Sequence, residues 1–252
     1  MFVVMKKSRL IIVILLIAVL SVTASIFLNP KVTNAFSASK KLPIYSVECK
    51  TQKVALSFDA AWGADKTRQI MDLLDRYEMK ATFFLVGFWI DKYPEMVKEI
   101  DERGFLIGNH STNHLHMSKL SAEDIKREIQ VTNKKIRDAT GKDTSFFRAP
   151  FGEYNNKVLA SIEELNMLCI QWDVDSLDWK GLSGAQMAER VLSRAKAGSI
   201  ILCHNNSDHI LDALPLILMG LKNKGIASVR MDELVLQQNY YIDHNGRQFA
   251  KQ

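Results

Sequence analysis

Two histidines four residues apart, His110 and His114, follow a short apolar run, Phe105-Leu106-Ile107, with Gly104 before it and Gly108 after it. The run has the character of a buried strand. If the chain turns into a helix beyond it, the two imidazoles stand one turn apart on one face. That spacing suits two nitrogen ligands on one divalent metal. Two unrelated loop histidines would show the same spacing, so the pair gains meaning only from its company. Asp59 follows the apolar run Val54–Phe58, and Arg148 follows Phe146-Phe147. Asp173 and Asp175 follow Leu168–Trp172, and His204 follows Ile200–Cys203. A carboxylate, a guanidinium and a third imidazole are further reactive groups delivered in the same way, at the ends of apolar runs.

The elements that must position these residues alternate. Strands are expected at Val54–Phe58, Ala81–Val86, Phe105–Ile107, Ser145–Phe147, Leu168–Trp172, Ser199–Cys203 and Ala227–Val229. Helices are expected at Thr67–Tyr77, Pro94–Arg103, Ser121–Thr140, Lys157–Leu165, Ser183–Ala195 and Ile210–Lys224, with a further turn or two at Met231–Leu236. Ser121 can cap its helix, with Asp124 three residues on, and Gly141 can close it. Alternation of this kind predicts α/β architecture around a parallel sheet, and the continuously apolar strands fit a sheet covered on both faces. A doubly wound sheet is one solution. A barrel is favoured because the reactive residues all fall at carboxyl ends of strands, the rim where barrel enzymes keep their sites.

Composition narrows the classes. The 252 residues are 47% hydrophobic and 24% charged, enough for one domain of about 200 residues with appendages. The net charge of +5 owes much to residues 1–38, where Lys6, Lys7, Arg9 and Lys31 stand without an acid. That leaves 29 of the 33 basic residues against all 28 acidic ones, a net of +1, which calls for no nucleic-acid partner. Cys49, Cys169 and Cys203 are too few and too scattered for a disulfide framework or a zinc knuckle. A monomer is expected.

The first 28 residues read as a targeting segment. Residues 1–9 are a basic cytoplasmic piece, and residues 10–28 are apolar throughout and without charge. A helix of that length rises about 28 Å, close to the hydrocarbon thickness of a bilayer. The preceding positive charge predicts a single-pass cell-membrane anchor with the following domain outside the cytoplasm. A cleaved signal and a secreted domain form the alternative, with Asn34-Ala35 and Ser37-Ala38 as weak cleavage sites. Residues 29–48 then act as a linker, residues 49–236 as the domain, and residues 237–252 as a polar tail.

Taken in order, the reactive residues lie within five segments: Ser57-Phe58-Asp59-Ala60, His110-Ser111-Thr112-Asn113-His114, Arg148-Ala149-Pro150-Phe151-Gly152, Asp173-Val174-Asp175-Ser176-Leu177-Asp178-Trp179 and Leu202-Cys203-His204. This ordered set, covering about residues 50–236, resembles the five motifs of the polysaccharide deacetylase family (carbohydrate esterase family four, the NodB homology domain). The anchor, the small single domain and Phe58-Asp59-Ala60-Ala61-Trp62-Gly63 look most like the sporulation-associated, PdaB-type members. The resemblance implies a distorted (β/α)7 barrel, a single domain behind an N-terminal transmembrane helix. It implies hydrolysis of the N-acetyl group of an amino sugar in a polymer such as peptidoglycan. It also implies a divalent metal, usually zinc, on His110 and His114. Carried over residue by residue, Asp59 is the general base and Arg148 its orienting cation. His204 is the general acid, with Asp175 as the carboxylate that raises its pKa. The Phe151 N–H binds the oxyanion, and Trp179 and Leu202 wall the acetyl pocket.

One position departs from the family pattern. A second, metal-binding aspartate usually follows the first, and here that residue is Ala60. A methyl group ligates nothing, and catalytic zinc normally has three protein ligands. Asp65 could replace it, or His116 more weakly. Otherwise the metal is loosely held or absent. Three functions stay open: a membrane-tethered deacetylase, a catalytically weak or inactive glycan-binding relative, and a barrel glycosidase using Asp59 and Asp175 as paired carboxylates. The last leaves both histidines unexplained.

Overall fold

The computed structural model describes residue 12, residues 15–17, 19–21 and 41–251. The described residues within 10–28 are helical. Among the described residues no helix is long and apolar enough to cross a membrane. Most of the segment on which the anchor expectation rests lies outside the described residues.

From residue 41 onward the chain forms a separate unit. Its strands are β1 (Ser46–Val47), β2 (Lys53–Ala60), β3 (Ala81–Leu85), β4 (Leu106–Asn109), β5 (Phe146–Phe147), β6 (Leu168–Cys169), β7 (Val174–Asp175), β8 (Ile200–His204), β9 (Ala227–Ser228), β10 (Tyr240–Ile242) and β11 (Arg247–Ala250). Its helices are α1 (Thr67–Arg76), α2 (Gly87–Lys92), α3 (Pro94–Glu102), α4 (Ala122–Thr140), α5 (Asn156–Glu164), α6 (Gly184–Arg194), α7 (Ile210–Asn223) and α8 (Met231–Leu234). Seven strands follow one another in the order β6-β5-β4-β3-β2-β8-β7, every neighbouring pair parallel, and β9 joins β2 beside that path. This is a curled parallel half-barrel with helices outside it. β6 and β7, consecutive in sequence, sit at opposite ends of the path. Near this seam Ile44 bridges to Ile170 and Ser46 to Ser199, so the segment leading into the barrel links its two flanks.

Strand alternation decides which side chains enter the barrel. On β2, Val54, Leu56, Phe58 and Ala60 join the large apolar cluster shared with the outer helices, whose members include Ile70, Leu74 and Trp89. Ala55 belongs to the inner cluster with Phe84, Ile170 and Ile200. Ser57 and Asp59 follow it on the inward face, toward the carboxyl rim. The same periodicity that builds the core thus aims Asp59 into the barrel and turns Ala60 away.

Several expectations are met with small shifts. Ser121 caps α4 by accepting from the Asp124 N–H at 3.1 Å, and Gly141 closes it in left-handed conformation, φ 73°. Ser183 and Gln186 form a reciprocal cap on α6. The segment Leu168–Trp172 divides: only Leu168–Cys169 pairs as β6, and β7 begins anew at Val174. The segment after Gln237 is not a loose tail. β10 and β11 form an antiparallel hairpin, and β11 pairs in parallel with β1. Gln248 is fully buried there, with its amide bonded to both the N–H and the C=O of Leu236.

Candidate active site

The register of the sheet brings the reactive groups to one level. Asp59 is the Cα partner of His204 on β8 and of Phe84 on β3. Asn109 pairs with Phe147, so His110 and Arg148 each stand one residue beyond a matched pair. Together Asp59, His110, His114, Asp175 and His204 line a cavity of about 400 Å³, with Trp62, Phe151, Trp172, Trp179 and Leu202 as its apolar walls and Asn206 beside them.

Asp59 is held on two sides. Its Oδ1 accepts from Arg148 Nη1 at 2.7 Å, and its Oδ2 lies 3.5 Å from His110 Nε2. Burial favours the neutral acid, but the charge of Arg148, with His110 and His204 adding, outweighs it and lowers the pKa. The side chain is therefore a carboxylate at neutral pH. Arg148 is itself fully buried. Its Nη2 donates to Ser57 Oγ at 2.9 Å and to the Gln171 carbonyl at 3.3 Å, and its guanidinium lies over the Phe84 ring at 4.1 Å.

The two histidines meet without a helix. Ser111 and His114 both have left-handed backbone, φ 66° and 54°, so the chain folds back on itself between them. Their ring centroids are 5.0 Å apart. His110 Nδ1 faces the Arg148 carbonyl at 2.8 Å. A carbonyl can only accept, so Nδ1 carries the proton and Nε2 keeps its lone pair toward the cavity. Burial lowers the pKa of both imidazoles, that of His114 to about 4, so both are neutral at pH 7 and fit to ligate a metal.

The loop that presents them is pinned by Glu128, a residue the sequence reading passed over. Glu128 accepts from the N–H groups of Thr112 and Asn113 at 3.0 and 2.8 Å, and from Asn113 Nδ2 at 2.6 Å. A signal was available: Glu128 falls on the buried face of α4 with Ile125, Ile129 and Thr132. A carboxylate on such a face must have partners.

His204 is also doubly held, but by a different carboxylate from the one expected. Asp178, not Asp175, bonds it: Oδ1 lies 2.7 Å from His204 Nδ1, and Oδ2 accepts the His204 N–H at 2.6 Å. Asp175 lines the cavity, but its Oδ1 accepts the Leu177 N–H at 2.8 Å. Leu177 is left-handed, φ 54°, and this turn swings Asp178 back under His204. Burial works against the imidazolium. The hydrogen bond and charge of Asp178, with Asp59 and Asp175 adding, outweigh burial and raise the pKa. Asp173 is not on this rim: it accepts from the Ile200 N–H and Ser199 Oγ at the amino end of β8.

Two proposed substitutes for the missing ligand are not brought in. Asp65 is exposed in the turn before α1 and does not line the cavity. His116 is also exposed, bonds Glu153 at 2.9 Å and stacks on Phe151 at 4.4 Å. Among the described residues no group of three or more His, Cys, Asp or Glu side chains is placed to hold a metal ion. The imidazoles could supply two ligands, and the methyl of Ala60, fully buried in the outer apolar cluster, supplies none. The donor set does not fit a three-ligand metal site.

Two measurements check this geometry. Asp178→Asn removes the charge beside His204, so the NMR titration midpoint of that imidazole should move down; an unchanged midpoint would show that Asp178 does not set it. Ala60→Asp buries a carboxylate in apolar surroundings, at a cost of about 2 kcal/mol or more. If the new carboxylate reaches a zinc ion on His110 and His114, zinc should raise the melting temperature of the variant more than that of the parent. An equal rise in both would place residue 60 out of reach of that ion.

The sequence matches the family model "Polysaccharide deacetylase" over residues 46–170. It is 35% identical over 186 residues to a peptidoglycan-N-acetylglucosamine deacetylase of Bacillus cereus, covering 72% of this chain and 68% of that protein. It is 33% identical over 197 residues to the peptidoglycan-N-acetylglucosamine deacetylase PgdA of Listeria monocytogenes, covering 78% of this chain but only 42% of that one. Among solved structures it is similar to a CE4 family pseudoenzyme from Bacillus anthracis, with a TM-score of 0.74 and 31% identity over 77% of this chain and 69% of that one. With the five segments on one rim and these relatives alongside, the chain belongs to the polysaccharide deacetylase family.

Proposed function

We propose that the chain is a polysaccharide N-deacetylase acting on an N-acetylated amino sugar of cell-wall glycan. The observation that carries this reading is the convergence of an anionic Asp59, clamped by Arg148, and a His204–Asp178 pair on one cavity with apolar walls. Amide hydrolysis needs a base for the attacking water, a donor for the oxyanion and a proton for the amine. Asp59 takes the proton of the water, whose oxygen bonds the acetyl carbon. The Phe151 N–H donates to the carbonyl oxygen as it becomes an oxyanion. His204, kept protonated by Asp178, gives its proton to the amine as the C–N bond breaks. Acetate and a free amino sugar leave, and solvent carries the proton on Asp59 back to His204. Trp179 and Leu202 hold the acetyl methyl, and Asp175 adds negative charge that favours the imidazolium.

The names of the Bacillus and Listeria relatives support peptidoglycan as the polymer. The basic cluster ahead of residues 10–28 supports a domain tethered outside the cytoplasmic membrane. The Asp59-Ala60-Ala61-Trp62-Gly63 variant supports a place among the sporulation-associated members.

A second reading has its own observation. Ala60 leaves the metal site one ligand short, and the Bacillus anthracis neighbour is described as a pseudoenzyme, one mutant of which has restored activity. On that reading the groove binds glycan without turning it over. Acetate release by the intact chain from N-acetylglucosamine oligomers and peptidoglycan separates the two. The first expects acetate and no new reducing ends, with Asp59→Asn lowering the rate by about 100-fold or more. Glycan binding without acetate supports the second, and reducing ends without acetate contradict both.

A further inference from the structure

Among the described residues from 41 onward, the three most exposed large apolar side chains are Trp179 at 61%, Trp62 at 58% and Phe151 at 57%. All three line the same cavity. Phe151 and Trp179 already have places in the proposed reaction. Trp62 has none, and a tryptophan left in water on a folded surface marks a contact surface more often than an accident of packing.

Trp62 is presented by a stiff support. It follows Ala61 on the short connection from β2 to α1. The next residue, Gly63, is left-handed, φ 66°, and its carbonyl accepts from Trp89 Nε1 at 2.7 Å and Asn205 Nδ2 at 2.8 Å. Both donors are on fully buried residues. The indole meets His114 at 5.1 Å and 69°, and Phe88 at 6.3 Å and 47°. Neither contact is face to face, and more than half of the side chain stays open to solvent.

We propose that Trp62 is a sugar-stacking platform that holds the ring next to the amino sugar in the cavity. The inference rests on the glycan reading above and adds a binding position to it. A pyranose has one face of axial C–H groups and a rim of hydroxyls. An exposed indole covers the first and leaves the second in water. Phe151 meets His114 at 4.6 Å and Trp62 meets it at 5.1 Å, so the two aromatic residues flank one imidazole at the mouth. A polymer threaded through that mouth has to pass the indole.

The test is binding of N-acetylglucosamine and its tetramer to the intact chain and to Trp62→Ala and Trp62→Phe, by calorimetry. Trp62→Ala should weaken tetramer binding about tenfold, ~1.4 kcal/mol, and leave the monomer unchanged. Trp62→Phe should restore most of the loss. An unchanged melting temperature of Trp62→Ala shows that the loss is not unfolding. Tetramer binding unaffected by Trp62→Ala, or monomer binding lost equally, would overturn the platform and leave the glycan reading standing. A wild-type chain that binds neither sugar would overturn both.

Discussion

The Arg148–Asp59 ion pair is the interaction on which the rest of the site depends. Both partners are buried, and the contact is 2.7 Å. Two charges taken out of water recover their hydration only through good geometry and further hydrogen bonds. Arg148 finds these in Ser57 and the Gln171 carbonyl, while the Arg148 carbonyl accepts from His110. One residue therefore fixes the base and the tautomer of a neighbouring imidazole, and its side-chain bonds tie the end of β5 to β2. Removing either member would leave an unpaired buried charge, a loss of about 3–5 kcal/mol. Fold stability and proton chemistry are tied to the same contact.

Around this pair the loops take backbone shapes that cost energy. Ser111, His114, Phe151 and Leu177 are all left-handed, and all lie in the segments at the cavity rim. Non-glycine residues in that conformation persist only where surrounding bonds over-determine them. Glu128 does so for the histidine loop. Asp178 does so for the Leu177 turn through its two bonds to His204. The cavity is thus built by rigid strands below and pinned turns above.

Much of this was legible in the chain. Apolar runs ending in a reactive residue marked the strand ends, and Asp59, His110, Arg148 and His204 were found at them because strand period and register are simple. The choice between Asp175 and Asp178 was not legible, since it depends on a left-handed leucine between them. Glu128 was hidden because helical periodicity was used to find apolar residues, not the one acid on their face. The helix Gly87–Lys92 was missed because it is six residues long and opens at a glycine. The terminal hairpin was missed because the one residue β11 buries is the polar Gln248, and the strand pairs with β1 about 200 residues away. Ala60 stands where the resemblance implies a second aspartate, and neither Asp65 nor His116 takes its place, because both are exposed and neither lines the cavity.

The central claim is that the five segments make one site for a single acetamido group. A crystal structure of the protein with an N-acetylglucosamine oligomer tests it most directly. The acetamido carbonyl carbon should lie over Asp59, with the amide nitrogen toward His204 and the methyl against Trp179 and Leu202. An oligomer bound elsewhere on the surface, with the cavity between Asp59 and His204 left to solvent, would contradict the account.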